Sequence, residues 1–183
     1  RIALCFRDGS VRFYNAGDIF NLSGWQLVQD FQLGPDETCN KICWRPYSQN
    51  MPETVLLGGS RRASVWSLDG ARGRWQEIAS LPPASSQSEV SSVHWANSCG
   101  RTSELVAYAS QTDVYIVELH SNMDDLEVNV VAHCKHTSPV LQLEWNKLGT
   151  TLATSSAGEG VKLWRPDLLG QWHAMASIGA SDS

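Results

Sequence analysis

Eight tryptophans fall into three registers that each recur about every 50 residues along the 183-residue chain, and this spacing restricts the fold more than any other feature. Trp44, Trp95 and Trp145 lie 51 and 50 residues apart, and each closes an alternating run: Ile42 and Trp44, Val93 and Trp95, Leu141, Leu143 and Trp145. Alternation with a period of two marks one face of a β-strand. Tyr14, Trp66, Val117 and Trp164 form the second register, closing VRFY, ASVW, VYIV and VKLW. Trp25, Trp75 and Trp172 form the third, each opening another extended stretch.

Self-similarity at this period, with four strand-like segments per unit and no long stretch of helical period, predicts an all-β chain built as a radial propeller. The units run 1–34, 35–83, 84–135 and 136–183. Unit 2 reads as strands Cys39–Trp44, Thr54–Gly59, Ala63–Leu68 and Trp75–Leu81, unit 3 as Val90–Trp95, Glu104–Ser110, Asp113–Leu119 and Leu126–Cys134, and unit 4 as Pro139–Trp145, Thr151–Ser156, Gly160–Trp164 and Trp172–Ile178. Unit 1 opens at Ile2–Phe6, the place of a second strand, and the chain has no initiator Met, so the expectation is an incomplete first blade and a piece of a longer protein. The second strands turn from large to small residues, as in Val55-Leu56-Leu57-Gly58-Gly59, which suits sheets packed closely on both faces. The Ser-rich stretch 80–92 reads as a connection between strands.

Nineteen acidic against 14 basic side chains give a formal charge of -5, which repels a phosphate backbone and argues against direct nucleic-acid binding. The basic groups are concentrated before residue 76, where nine stand beside seven acidic ones. No run approaches the ~18 apolar residues of a membrane helix. Five cysteines without paired CxxC spacing fit neither a disulfide framework nor a zinc site and suit a reducing compartment. Cys39 and Cys43 lie about 13 Å apart on one strand, too far for a disulfide, and read as spacers. His133-Cys134-Lys135-His136 is a single tract with no second ligand pair, so no metal or other cofactor is expected. With no G-x-S-x-G elbow, P-loop or G-x-G-x-x-G cradle, and with His94 and His120 standing alone, neither is catalysis. Arg61-Arg62 and Arg72/Arg74 flank one strand as a solvated or locally basic surface.

Unit 4 resembles the WD-repeat consensus: Pro139-Val140-Leu141-Gln142-Leu143-Glu144-Trp145, then Gly149-Thr150-Thr151-Leu152-Ala153-Thr154-Ser155, then Val161-Lys162-Leu163-Trp164. Unit 1 keeps the family's turn as Asp8-Gly9. The resemblance makes His136, four residues before Val140, the hydrogen-bonding histidine of its blade, and Asp8, Trp44, Trp66, Trp95, Trp145 and Trp164 the structural residues of the repeat. Unit 4 departs from the pattern at Gly158-Glu159, where an Asp-Gly turn would stand, which puts its buried Asp–His network in question. The segments NAGDIFNLSGW at 15–25, EWNKLGTTLATSS at 144–156 and VKLWRPDLLGQW at 161–172 resemble the nucleoporin Seh-one family, in the family's C-terminal half, over nearly all of the chain. That family supplies a WD-repeat subunit of the Y-shaped nuclear-pore scaffold and is a paralogue of the COPII outer-coat propeller.

The resemblance implies a six-bladed open propeller at the nuclear envelope, a non-enzymatic scaffold for nucleocytoplasmic transport. Its partners would be other Y-complex nucleoporins and an α-solenoid nucleoporin that contributes β-strands in trans. It also admits a nutrient-sensing coat at the lysosome or vacuole, or a COPII-like vesicle coat. The last unit continues through Trp172–Ile178 as a fourth strand, so its blade is complete and a six-bladed ring is left open beside it. Val161, Leu163, Trp172 and Met175 are the expected partner-binding residues there. A competing reading is a peptide-recognition adaptor, which would place Arg, Tyr and Trp at the turns of one face; only Arg61-Arg62 qualifies.

Overall fold

The computed structural model describes residues 1–18, 20–49, 51–83, 88–121 and 126–179. Fifteen strands form four antiparallel sheets of consecutive strands. Blade 1 holds β1 (Ile2–Cys5), β2 (Ser10–Asn15) and β3 (Gln26–Gln32). Blade 2 holds β4 (Cys39–Trp44), β5 (Thr54–Gly59), β6 (Ala63–Asp69) and β7 (Arg74–Ser80). Blade 3 holds β8 (Val90–Trp95), β9 (Glu104–Ser110), β10 (Asp113–Ser121) and β11 (Leu126–Lys135), and blade 4 holds β12 (Val140–Trp145), β13 (Leu152–Ser156), β14 (Gly160–Pro166) and β15 (Trp172–Ile178). Of the Ser-rich stretch, 84–87 lies outside the described residues.

Trp44, Trp95 and Trp145 each end the first strand of a blade and pair with Val55, Val106 and Leu152, so the register read from the sequence is a true structural equivalence. Among the described residues β1 is an edge strand that pairs only with β2. The NLSGW segment forms a short 3-10 turn, Leu22–Gly24, in which the Asn21 carboxamide oxygen accepts from the Ser23 amide at 3.2 Å and the Ser23 hydroxyl at 2.7 Å. That turn delivers Trp25 to the start of β3.

The sheets stack face to face, β4 packing on β8 and β8 on β12. Each junction has its own apolar core, because strands covered on both sides leave no room for a polar face. Val11, Phe13 and Leu33 meet Cys39, Val55, Leu57 and Trp75 between blades 1 and 2, where Phe13 stacks on Trp75 at 4.3 Å. Leu56, Ala63, Val65 and Leu81 meet Val90, Trp95, Val106, Tyr108 and Val117 between blades 2 and 3. Ala107, Val114, Ile116 and Cys134 meet Leu143, Trp145, Leu152 and Trp164 between blades 3 and 4. Gly58 permits one of these approaches: a Cβ there would lie 2.7 Å from a γ-carbon of Val90.

All four outer strands carry a bulge at one and the same place. Their pairing skips Val28, Ile78, Val131 and Met175, and all four are exposed apolar residues. A bulge inserts one residue and reverses which face the residues beyond it present.

Candidate functional site

The side chains holding one blade to the next define by subtraction the face of blade 4 that no described residue covers. In the register of the sheets, Ala63, Val114 and Val161 are equivalent, as are Val65, Ile116 and Leu163, and as are Leu81, Cys134 and Ile178. The members from blades 2 and 3 are buried against the following blade, Leu81 at 1% and Cys134 at 5% exposure; Ile178 is 62% exposed, and Val161 and Leu163 are half-covered. Covering a side chain of this size is worth about 2 kcal/mol each. A second uncovered surface lies at the other end, where Ile2 and Leu4 of β1 are exposed in the register that buries Val55 and Leu57.

The junctions are also clasped by hydrogen bonds from the backbone of one innermost strand to side chains of the preceding one. The Trp95 amide donates to Cys43 Sγ at 3.3 Å, the Leu143 amide to Ser92 Oγ at 3.1 Å, and the Trp145 amide to His94 Nδ1 at 3.1 Å. Burial lowers the His94 pKa against the lift from Glu144, which suits an acceptor nitrogen. Gln142 and Glu144 are the blade 4 equivalents of Ser92 and His94, both exposed, so the free face repeats the acceptor pair of its neighbour.

The four residues expected to meet a partner do not form one cluster. Val161 and Leu163 share the free face, joined by Ala176 and Ile178 across β15. Trp172 lies on the opposite face and packs edge-on against Trp145 at 5.6 Å. Met175 is the bulge residue, exposed as its counterparts in every blade are.

The hydrogen-bond network of blade 4 is complete, and Glu159 supplies its carboxylate. The Trp164 indole donates to Thr154 Oγ1 at 2.8 Å, Thr154 Oγ1 meets His136 Nε2 at 2.8 Å, and His136 Nδ1 meets Glu159 Oε2 at 2.9 Å. Burial lowers the His136 pKa despite its carboxylate partner, so the neutral imidazole relays between hydroxyl and carboxylate. Hydrogen bonds from the Lys162 ammonium and the Thr137 amide hold the Glu159 carboxyl down to about 2. Gly158-Glu159 thus does the work of the Asp-Gly turn with a side chain one carbon longer. Other blades use other polar partners: Trp66 donates to Ser64 at 3.0 Å, Trp95 to Glu104 at 2.8 Å, and Asp8 accepts from the Ser10 amide and hydroxyl at 2.9 and 2.7 Å. Trp44 is half-buried edge-on to Phe13 at 5.6 Å.

The remaining polar candidates are held in pairs. His133 meets Asp113 at 2.6 Å and stacks on Tyr115, and among the described residues no three His, Cys, Asp or Glu side chains gather as a metal site. Arg62 is engaged by Glu77, Glu37 and Ser80, leaving Arg61 alone exposed at that turn. No helix among the described residues is long and apolar enough to cross a membrane.

Four successive sheets, equivalent innermost strands in the last three, apolar cores between the sheets and a Trp-Thr-His-Glu network in the last define blades of a WD-repeat β-propeller. No protein-family model matches the chain. The curated proteins that it is similar to include SEH1 proteins: the chain is 30% identical to Protein SEH1 of Arabidopsis thaliana over 97% of its length and 61% of that protein. It is 28% identical to Nucleoporin SEH1 of Pongo abelii over 100% of its length and 54% of that protein, and 28% identical to Nucleoporin seh1 of Drosophila melanogaster over 100% and 53%. The resemblance seen in the segments 15–25, 144–156 and 161–172 therefore extends over nearly the whole chain, which spans little more than half the length of these relatives.

Proposed function

We propose that this chain is part of a non-enzymatic scaffold propeller of the nuclear pore's outer ring, and that the free face of blade 4 receives β-strands from an α-solenoid nucleoporin. The observation that carries this reading is the exposure of Ile178 and the incomplete burial of Val161 and Leu163 at positions that blades 2 and 3 bury. Isolated soluble proteins rarely leave a contiguous apolar sheet face uncovered, and a strand set from another chain covers it as a further blade would. Gln142 and Glu144 add acceptors for two backbone amides of the incoming strand. The names Nucleoporin SEH1 and Nucleoporin seh1 support an assembly at the nuclear pore, and on this reading the full ring has six blades and is open. Arg62, drawn into its carboxylates, leaves little of the basic turn that a peptide-reading adaptor needs. The test is co-purification of solenoid nucleoporins with the full-length protein: Leu163→Asp releases the partner while the protein stays folded. A folded Leu163→Asp variant that binds with full affinity, or a ring that closes on itself without a partner, overturns the reading.

A further inference from the structure

Cys5 ends β1 in blade 1 and Cys39 opens β4 in blade 2. Both belong to the apolar cluster between these blades, Cys39 buried and Cys5 half-buried, and both are free thiols. The Cys39 amide donates to the Phe6 carbonyl at 3.2 Å, which holds the start of β4 against the end of β1.

The repeat fixes how near the two side chains come. Cys5 pairs with Val11 as Gly58 pairs with Ala63, and Cys39 pairs with Gly59 as Val90 pairs with Ser110. The contact of Cys5 with Cys39 is therefore that of Gly58 with Val90 one junction on, and of Ala109 with Val140 at the next. A Cβ on Gly58 would meet Val90 Cγ1 at 2.7 Å, so side chains at this pair of positions face each other across the junction, the arrangement from which a disulfide forms once the β-carbons stand about 4 Å apart.

The two thiols are unequal in reactivity. The neighbouring Cys39 thiol lowers the Cys5 pKa, and Cys5 together with burial raises that of Cys39, whose sulfur sits 3.7 Å from the Lys41 carbonyl oxygen. A partly exposed cysteine of lowered pKa beside a second thiol is the arrangement in which oxidation goes on to a disulfide. No other cysteine has both features: burial raises Cys43 and pushes Cys134 up to about 12, and Cys99 sits exposed on a turn.

We propose that Cys5 and Cys39 are a hydroperoxide-responsive pair, Cys5 the attacking thiol and Cys39 the resolving one, whose disulfide ties blade 1 to blade 2. The Cys5 thiolate attacks the terminal peroxide oxygen, the O–O bond breaks, and hydroxide leaves with a proton from solvent as water. The Cys39 sulfur then attacks the Cys5 sulfenic sulfur, the S–O bond breaks, and the Cys39 proton leaves with the hydroxyl as a second water. In sum two thiols and one hydrogen peroxide give one disulfide and two waters.

The experiment is peptide mapping of the reduced full-length protein after hydrogen peroxide treatment. The expected result is an intact mass lighter by two hydrogens and a peptide joining Cys5 to Cys39 that a dithiol reductant separates. Cys39→Val and Cys5→Ala introduce residues that the repeat already holds at these places, so both variants keep the packing. In Cys39→Val the sulfenic acid stays on Cys5 and is trapped by dimedone; in Cys5→Ala Cys39 stays reduced. Oxidation confined to Cys99, absence of a dimedone adduct on Cys5 in Cys39→Val, or native thiols at 5 and 39 that react only after unfolding overturns the proposal and leaves the two as packing residues.

Discussion

Blades 3 and 4 share strand order, pairing register and outer-strand bulge, yet corresponding side chains meet opposite surroundings. Ile116 is fully buried under blade 4, whereas Leu163, its equivalent, faces outward from the free face. Both are large aliphatic residues, so the residue type records where a neighbour packs, and the structure shows which neighbour is present. The polar positions repeat this contrast: Ser92 and His94 are spoken for by backbone amides of blade 4, and Gln142 and Glu144 remain open.

The largest effect expected from this comparison separates Ile116→Asp from Leu163→Asp. An unpaired carboxylate in the core between blades 3 and 4 costs about 4 kcal/mol or prevents folding, while the same change at 163 costs under about 1 kcal/mol. Urea unfolding of the two variants measures it, and equal losses would break the comparison by showing that 163 is covered. A smaller effect concerns pH. His94 and His136 both titrate lower when folded than their ordinary value of 6.5, so the unfolded chain takes up protons first. Stability is complete above about pH 6.5 and declines as the pH falls below it. Denaturant midpoints measured between about pH 8 and pH 5 should show this decline, and His136→Asn should flatten it. A decline that persists undiminished in both His94→Asn and His136→Asn would assign it elsewhere. The smallest effect is that of Met175→Lys: a bulge residue exposed in every blade should change stability by less than about 0.5 kcal/mol and leave partner capture intact. Loss of the partner in Met175→Lys would move the docking surface to the outer rim.

The strands were legible to within one or two residues because period-two alternation and the tryptophan register survive packing. The face of β15 was not. Trp172, Ala174, Ala176 and Ile178 alternate as though on one side, but the bulge at Met175 sends Ala176 and Ile178 to the face opposite Trp172. Pairing with β14 decides that, and composition carries no trace of it. Glu159 reads in the sequence as a break in the pattern because its role depends on reach, its turn lying close enough to His136 for the longer side chain to span. Cys43, Ser92 and His94 could not be recognised as acceptors, because the donors they serve are main-chain groups that leave no mark in a sequence.

Those main-chain donors have an evolutionary consequence. The three clasps between innermost strands take their acceptors from the earlier blade and their donors from the peptide backbone of the later one, and every residue except proline supplies such a donor. A duplicated blade carries its acceptors with it and finds donors in whatever strand follows, with no matching change required in its new neighbour. Blade number in such a ring can thus drift by copying or loss of whole units, and a strand borrowed from another gene product enters on the same terms as one encoded next door.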